Sequence, residues 1–238
     1  MGFKLSSGKH VTVIGAGIIG INCAIALLKD GHAVTIIDRL PPGQGCSFGN
    51  AGILCASAFE PLASPETFLK IPGWLIDPEG PLVIRWRHLP RLMPWLIRYG
   101  LSGLFGDKAR IEDGLYHLLA PSLEHYRKLT REAGRPELIS AGGGLYVYSS
   151  LRKLQAARAG FDARRERGFL ATELSAGEVA EREPHLSKHY CGGVLADDYA
   201  HVLNPGRLVQ VLADYACKLG AEIKQADVLD IETGADGP

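Results

Sequence analysis

Three glycines and one acid near the amino terminus have residue types and spacing that could bind a nucleotide. Segment 11–20 reads V-T-V-I-G-A-G-I-I-G, which places Gly15, Gly17 and Gly20 in the pattern G-x-G-x-x-G. The first glycine permits a tight turn, the second lets the backbone approach a pyrophosphate, and the third lets a helix pack against a strand. Asp38 follows about twenty residues later, where a carboxylate can accept ribose hydroxyls. This pattern predicts an adenine-dinucleotide site, and the alternative is a glycine-rich turn without a ligand.

The flanking residues predict the strand–helix–strand unit that such a turn requires. The β-branched run at 11–14 is typical of a buried parallel strand, and apolar residues then recur at helical spacing as far as Leu28. Gly31 stands where a glycine commonly ends a helix. Segment 32–39, H-A-V-T-I-I-D-R, predicts a second strand that ends on the acid. Unpaired N–H groups and the positive end of the dipole at the helix start favour an anion there.

Composition excludes several functional classes. The 238 residues contain 26 basic and 26 acidic side chains, so no excess of positive charge indicates a nucleic-acid partner. The five cysteines are scattered and form no C-x-x-C pair, which favours free thiols in a reducing compartment over a zinc site. The segment 1–9 before the first strand is short and polar, unlike a secretory signal, and no apolar stretch has the length of a membrane span. We therefore expect a cytoplasmic protein without a metal site.

Beyond Arg39 the alternation of strand and helix stops, which indicates an interrupted domain. A glycine- and proline-rich loop precedes a helix-rich segment over 64–134, which includes a helical stretch near 108–133 that Pro121 should kink or divide. The expected fold class is α/β, with a Rossmann-like βαβ domain over 1–60 and 204–238 and an inserted α+β substrate or cap domain over 61–203. The remaining predicted elements are strands at 144–149, 190–196, 221–225 and 227–231 and helices at 151–167, 175–183 and 204–219. Local signals predict three helix starts: the N-cap Ser64 followed by Pro65, a capping box of Ser175 and Glu178, and the N-cap Asn204 followed by Pro205.

The loop after the second strand carries a resemblance to a known family. Its sequence C-S-F-G-N-A-G, from Cys46 to Gly52, resembles the corresponding loop of the FAD-dependent D-amino-acid oxidase superfamily, most closely that of its D-amino-acid dehydrogenases. The pair Asp38-Arg39 and the segments 81–87, 201–208 and 220–223 are also similar, so the resemblance extends over nearly the whole chain.

The resemblance implies that FAD is the cofactor. The glycine turn would surround the pyrophosphate, the acid would bind the ribose, the stretch from Ser47 to Gly52 would line the flavin, and Val228 would offer backbone to the adenine. The alternatives are a polar helix-capping turn for that stretch and a core strand position for Val228. The cofactor-binding residues predicted in this way are Gly15, Ala16, Gly17, Ile18, Ile19, Gly20, Asp38, Arg39, Ser47, Asn50, Ala51, Gly52 and Val228.

The resemblance also implies a reaction. Enzymes of this family pass a hydride from the amine-bearing carbon of a D-amino acid or related amine to the flavin, and water hydrolyses the resulting imine. The electrons go to an acceptor such as a quinone chain. Family members are considerably longer than this chain, so the resemblance predicts a truncated amino-terminal portion that a missing carboxyl-terminal half or a partner chain would complete. Catalytic residues therefore stay unassigned.

The sequence leaves four questions open. The chain could be a catalytically incomplete flavin-binding fragment, or an NAD-dependent dehydrogenase that shares the glycine turn. Tyr146, Tyr148 and His201 could face a substrate cavity or belong to the core or surface. A segment rich in tryptophan and arginine has two interpretations. The favoured one is a pair of helices that covers a domain, with the aliphatic parts of the arginines packed on it, and the other is peripheral contact with the inner membrane. The members of this segment are Trp74, Trp86, Trp95, Arg85, Arg87, Arg91 and Arg98.

Overall fold

The computed structural model describes residues 8–61, 63, 65–187 and 189–232. In chain order the elements are β1 (His10–Ile14), α1 (Ile18–Lys29), β2 (Ala33–Asp38), β3 (Ile53–Cys55), α2 (Pro65–Ile76), α3 (Leu89–Phe105), α4 (Lys108–Leu119), α5 (Ser122–Glu132), β4 (Ile139–Ser140), β5 (Gly144–Tyr148), α6 (Leu151–Glu166), β6 (Ala171–Ser175), α7 (Ala176–Arg182), β7 (Gly192–Ala196), β8 (Tyr199–Val202), α8 (Pro205–Lys218) and β9 (Glu222–Gln225).

The described residues separate into two compact units. One contains the chain up to Cys55 and from Leu123 onward, and the other contains Ala56–Ser122. Residues 123–203, which the sequence analysis places in the inserted domain, thus lie in the same compact unit as the glycine turn. The assignment of an FAD-binding domain and an inserted domain stays a prediction.

The predicted strand–helix–strand unit is present and gains a third parallel strand. The order of this sheet is β1-β2-β9, with Val11 opposite Val34 and Ile36 opposite Ile223. Because all three strands are parallel, their carboxyl ends lie at one edge of the sheet, where open α/β sheets commonly bind ligands. The strand predicted at 221–225 is confirmed. The strand predicted at 227–231 is wrong, since these residues form no regular element after β9.

Helices α1 and α8 contribute to the main core beside this sheet. Ile21 and Ile25 of α1 pack with Val209 and Leu212 of α8 and Ile36 of β2, and all five are almost fully buried. The local signals for α8 are confirmed: the Asn204 side chain accepts a hydrogen bond from the Arg207 N–H, and a proline occupies the first turn. The packing of α1 and α8 with β2 in this core holds the start of α1 beside the carboxyl ends of the strands.

Two small antiparallel sheets complete the first unit. The orders are β3-β8-β4 and β5-β7-β6, and α6 packs Leu154 and Phe161 against the second sheet around Val194. Ser175 and Glu178 form the predicted capping box at the start of α7. Strands β3, β4, β6 and β8 were not predicted.

The second unit is helical. Phe59 is fully buried and meets Tyr116 edge to face, while Phe68 of α2 meets Tyr99 of α3 in the same way. Helix α4 ends at Leu119 and α5 begins at Ser122, so the predicted division at Pro121 is confirmed. The predicted N-cap Ser64 lies outside the described residues. Among the helices that the structure describes, none combines the length and apolarity needed to cross a bilayer.

Candidate functional site

The glycine turn connects β1 to α1 at the carboxyl edge of the parallel sheet. Gly15 has a φ of +110°, a conformation that glycine adopts without a steric penalty, and its N–H donates to the Ile37 carbonyl at 2.8 Å. A Cβ on Gly20 would lie 1.9 Å from the Gly15 carbonyl oxygen, so the first turn of α1 lies directly on the bend. The first and third glycines therefore have the steric roles that the spacing predicts.

The start of α1 has no cap of its own. Gly17 is the N-cap residue and offers no side chain, and the first turn of the helix contains no acid. The hydroxyl of Ser47 supplies an acceptor from the distant loop, because the Ile18 N–H donates to Ser47 Oγ over 3.0 Å. The helix start is therefore a site where N–H groups and a hydroxyl converge, which is the chemistry that binds a phosphate.

Asp38 lies at the end of β2 and ties the turn to the sheet. Its carboxylate accepts hydrogen bonds from the N–H groups of Leu40 at 2.9 Å and Ala16 at 2.7 Å. These two bonds, in that order, hold the pKa of the carboxyl below its ordinary value, with a smaller contribution from the positive charge of Arg39 and with burial opposing. A carboxylate has about four lone-pair sites, so Asp38 can still accept a ribose hydroxyl.

The loop from Ser47 to Gly52 lies between the start of α1 and strand β8. Gly52 has a φ of +66°, and a Cβ there would lie 2.5 Å from the Val202 carbonyl oxygen. The Gly52 carbonyl accepts from the Val202 N–H at 2.6 Å, and its N–H donates to Asn50 Oδ1 at 2.9 Å. These bonds fix the loop on the sheet and hold the Asn50 side chain.

A cleft of ≈ 300 Å³ lies beside this loop. Five predicted cofactor-binding residues line it, and apolar side chains complete its wall, as is usual in small-molecule sites. Tyr126 of α5 also lines it, and burial raises the pKa of its hydroxyl against a smaller opposing effect of a hydrogen bond with Asn22. The lining consists of Ile18, Ser47, Asn50, Ala51, Gly52, Ile53, Leu54, Tyr126, Val202, Pro205, Leu208 and Val209.

The other predicted residues lie outside this cleft. Ala16 is buried in the turn, whereas Ile19 is 74% exposed on the first turn of α1. The Arg39 carbonyl accepts from Gln225 Nε2 at 3.1 Å, and the Ala226 N–H donates to the Asp38 carbonyl at 3.0 Å. Val228 lies two residues farther on and is 41% exposed. The roles of these residues toward an adenosine stay predictions.

A second cleft, of ≈ 470 Å³, brings together two of the three residues considered for a substrate cavity. Tyr146 and His201 line it together with Ser140 and Tyr199, whereas Tyr148 is not part of the lining. The Tyr146 hydroxyl contacts the Tyr199 hydroxyl. Arg164 Nη1 donates a hydrogen bond to the Tyr146 hydroxyl oxygen at 3.3 Å. Tyr146 and Tyr148 both pack on the α6 core, so they contribute to the second sheet whether or not a substrate binds.

Seven of the cleft residues were missed by sequence reasoning, and Tyr126 is the one among them with a hydroxyl. Helix α5 is strongly amphipathic, and this pattern identifies an inward-facing residue without indicating what lies opposite. The hydrogen bond from the Ala16 N–H of the turn to the Asp38 carboxylate was also not foreseen, because it depends on the folded path of the turn.

The family of the chain follows from comparison with known proteins. Residues 10–237 match the DAO model, described as FAD dependent oxidoreductase. A D-amino-acid oxidase of Bradyrhizobium diazoefficiens is 40% identical over 227 residues, which are 93% of this chain and 53% of the relative. A D-amino acid dehydrogenase 2 of Ralstonia nicotianae is 37% identical over 75% of this chain and 42% of the relative. The chain thus spans about half the length of the curated relatives that it matches.

Solved structures show the same fold at lower identity. Glycine oxidase from Bacillus cereus superposes with a TM-score of 0.60 and 20% identity, covering 97% of this chain and 51% of the oxidase. L-amino acid deaminase from Proteus myxofaciens gives a TM-score of 0.66 at 18% identity, covering 97% of this chain and 41% of the deaminase. The mixed α/β fold class is confirmed, and the chain belongs to the DAO family of FAD dependent oxidoreductases.

Proposed function

We propose that this chain binds FAD and is part of an oxidoreductase that converts the CH–NH bond of a D-amino acid or related amine to an imine, which water hydrolyses to a 2-oxo acid. The observation that carries the proposal is the convergence of Gly17, the Ile18 N–H and the Ser47 hydroxyl at the start of α1, next to the cleft lined by Ser47–Gly52. The relatives named D-amino-acid oxidase and D-amino acid dehydrogenase support the substrate class.

The residues present fit a dinucleotide. A Cβ on Gly17 would stand 3.3 Å from Ser47 Oγ, so only a glycine leaves the space between the helix start and the loop open. In the proposed complex the turn 15–20 holds the pyrophosphate, Asp38 holds the ribose, and the loop and cleft residues hold the flavin. FAD supplies a two-electron acceptor when bound, and the protein supplies position and surroundings.

The chain's own contribution is to orient the cofactor. The side chains of Ser47, Asn50 and Tyr126 bring polar groups to an otherwise apolar wall, so they can fix the orientation of a planar ligand. The ionised Asp38 favours hydroxyl donors and disfavours a second phosphate at the end of β2. The negative charge of Asp38 therefore favours a ribose hydroxyl over a phosphate group at this position.

A second candidate function is flavin binding without turnover. Among the residues that the structure describes, those that line the ≈ 300 Å³ cleft include no charged side chain, whereas an amino-acid substrate needs a cation for its carboxylate. In the full proposal, a further polypeptide segment or a partner chain provides this cation, and a quinone chain takes the electrons.

The proposed location is the cytoplasm, with peripheral contact to the inner membrane. The five cysteines all lie in the described part of the chain and are not joined in disulfides there, which supports a reducing compartment.

Thermal unfolding with added dinucleotides tests the binding step. A ligand that binds only the folded state raises Tm, by an amount that grows with its concentration above Kd. We expect FAD to raise Tm and NAD to leave it unchanged, while a rise with NAD alone would replace this proposal by a nicotinamide-dependent one. Turnover of D-alanine with an artificial acceptor then separates the two candidate functions, because the flavin-binding protein would show none.

A further inference from the structure

The second cleft, of ≈ 470 Å³, adjoins the cleft beside the Ser47–Gly52 loop, because Ile53 lines both of them. His201 lies at the same junction. It lines the second cleft, and a Cβ on Gly52 of the first cleft would stand 3.5 Å from Cε1 of its ring. A ligand that lies along Ile53 can therefore reach into both clefts at once.

The floor of the second cleft is a row of side chains across the sheet β3-β8-β4. Ile53 of β3 is opposite His201 of β8, and His201 is opposite Ser140 of β4. Residues that are directly opposite in antiparallel strands lie on the same face of a sheet, so these three side chains are neighbours. The floor therefore becomes more polar with distance from the first cleft.

Two tyrosine hydroxyls form a polar wall of this cleft. Tyr146 of β5 and Tyr199 of β8 meet edge to face at a ring-centroid distance of 5.8 Å, and their hydroxyl groups are in contact. Gly144 permits this arrangement, because a Cβ there would lie 2.8 Å from Cγ of the Tyr199 ring. Burial raises the pKa of the Tyr199 hydroxyl, and hydrogen bonds with Cys55 and Tyr146 raise it further, so this hydroxyl keeps its proton.

The hydroxyl pair can donate a hydrogen bond to a ligand. One O–H of the pair donates to the other oxygen, and the second O–H is directed elsewhere. The Cys55 sulfur, the other partner of Tyr199, is a weak acceptor, so a ligand oxygen that enters the cleft is the better acceptor for this O–H.

Arg164 of α6 strengthens this donor from behind the wall. Its Nη1 donates to the Tyr146 hydroxyl oxygen at 3.3 Å, and its guanidinium carbon lies 5.7 Å from the centroid of the same ring. Arginine donates and never accepts, so its charge polarises the hydroxyl pair toward an acceptor. The described residues that line the cleft include no aspartate or glutamate, and the neighbouring Asp198 is buried outside the lining. The wall therefore favours a negatively charged oxygen.

We infer that the second cleft receives the side chain of the amino-acid substrate and selects a side chain that ends in a carboxylate, which the hydroxyl pair of Tyr146 and Tyr199 binds. The inference rests on the proposed function and names the substrate class within it.

The position of the pair favours a side-chain carboxylate over the α-carboxylate that every amino acid carries. In the proposed complex the reacting carbon lies beside the flavin in the first cleft, and the α-carboxylate is bonded directly to that carbon. Tyr199 is the diagonal neighbour of Ile53 on the paired strands, at about 7–8 Å. A carboxylate at the end of a side chain spans more of this distance than one attached to the reacting carbon.

Calorimetric titration of the full chain without FAD tests the selectivity. D-glutamate, D-glutamine and D-leucine have side chains of similar size and differ in charge and polarity. We expect D-glutamate to bind at least about tenfold more tightly than D-leucine, with D-glutamine between them, because a hydrogen bond to a charged group is stronger than one to a neutral group. Equal affinities for D-glutamate and D-leucine would overturn the inference.

Removal of one hydroxyl tests the role of the pair. Tyr199→Phe keeps the ring and should weaken the binding of D-glutamate about tenfold while leaving that of D-leucine nearly unchanged. Tyr148→Phe is the matched control, because Tyr148 lies on the same strand as Tyr146 and is not part of the lining. If the pair bound the α-carboxylate instead, Tyr199→Phe would weaken D-glutamate and D-leucine alike, and the side-chain assignment would be wrong.

Removal of the charge behind the pair provides a second variant. Arg164→Gln should reduce the preference for D-glutamate over D-glutamine by at least about threefold. Arg152→Gln, on an exposed position of the same helix, should leave this preference unchanged. An unchanged preference in Arg164→Gln would contradict the inference. Far-UV circular dichroism checks the fold of each variant, and Tyr199→Phe carries the test if Arg164→Gln loses structure.

Flavin absorption separates this inference from the proposed function. In the chain loaded with FAD, D-glutamate bound along Ile53 should perturb the absorption bands of the flavin, and Tyr199→Phe should shift this response to higher concentrations. Binding of D-glutamate without any perturbation would make the second cleft a separate carboxylate site and overturn its role toward the substrate. A chain that FAD does not stabilise would refute the proposed function, whereas FAD binding with equal affinities for the three amino acids would refute this inference alone.

Discussion

The backbone N–H of Ile18 donates to the hydroxyl of Ser47 over 3.0 Å, and this bond joins the first turn of α1 to a loop residue 29 positions later. Gly17 precedes helix α1 and has no side chain to cap it, so Ser47 performs that role from outside the helix. The glycine turn and the serine loop are thus parts of one structure, although each is recognisable in the sequence by itself.

The first prediction concerns this cap. Ser47→Ala should lower the free energy of unfolding by about 1 kcal/mol, because the Ile18 N–H loses its acceptor. Urea unfolding of the chain without cofactor measures the difference. Ser149→Ala removes a hydroxyl from an exposed residue and should change the free energy by less than about 0.5 kcal/mol. Equal losses for the two variants would show that the bond does not stabilise the helix start.

The second prediction concerns the space at the turn. Gly17→Val should abolish the rise of Tm caused by FAD, because a branched side chain would fill the gap that separates residue 17 from Ser47 Oγ. Gly17 has a φ of −78° and extended backbone, so valine fits the main chain and the variant should fold. Gly114→Val is the control, since nothing lies near a Cβ there. A full FAD response of Gly17→Val would remove the pyrophosphate from this turn.

The parts of the fold that sequence predicted well are those with local signals. The turn 15–20 and its flanking strands follow from glycine spacing and apolar periodicity, and α8 follows from Asn204, Pro205 and its apolar face. Each of these elements is specified by residues that lie close together in the sequence. The parallel sheet and the main core are built largely from these elements.

The elements that were missed depend on distant pairing. Strand β8 is four residues long and lies between β3 and β4, which are far away in the sequence. The segment 227–231 reads as a strand by composition but has no partner in the part of the chain that the structure describes. In the same way, Tyr126 reaches the cleft, and the turn donates to Asp38, only through the folded path of the chain. The residue types of the site were therefore predictable, whereas their hydrogen-bond partners were not.

The third prediction concerns Asp38 and pH. Hydrogen bonds from Leu40 and Ala16 hold the pKa of this carboxyl below its ordinary value of 3.8. The ionised group therefore stabilises the folded chain above that pH, and this contribution disappears as the pH falls through the lowered folded-state pKa. Asp38→Asn keeps one acceptor oxygen but loses the charge. We expect wild type to be more stable than Asp38→Asn at neutral pH, with the difference shrinking below about pH 4.

Chemical unfolding across this pH range measures the effect. Asp30→Asn removes the same charge from an exposed residue after α1 and provides the control. A difference between wild type and Asp38→Asn that does not change down to the acid limit would contradict the role of the carboxylate.

The fourth prediction concerns the ribose. Asp38→Ala should weaken FAD binding by about 1–3 kcal/mol, because the ribose hydroxyls lose a charged acceptor and the turn loses the bond from Ala16. Quenching of flavin fluorescence during titration gives the Kd. Because Asp38→Ala also affects the turn, Asp38→Glu serves as the companion variant and should retain more of the affinity than alanine does. Unchanged affinity in the alanine variant would place the ribose elsewhere.

The fifth prediction concerns the junction of the loop with β8. Gly52 has a φ of +66°, and a Cβ on it would lie 2.5 Å from the Val202 carbonyl oxygen, so Gly52→Ala combines an unfavourable backbone conformation with a steric clash. We expect a loss of about 2 kcal/mol or more in the free energy of unfolding and a weaker response to FAD, because the cleft wall moves with the loop. Gly45→Ala lies in the same loop, where nothing stands near a Cβ, and should change neither quantity appreciably. If both alanine variants behaved alike, the close contact of Gly52 with β8 would have no part in shaping the cleft.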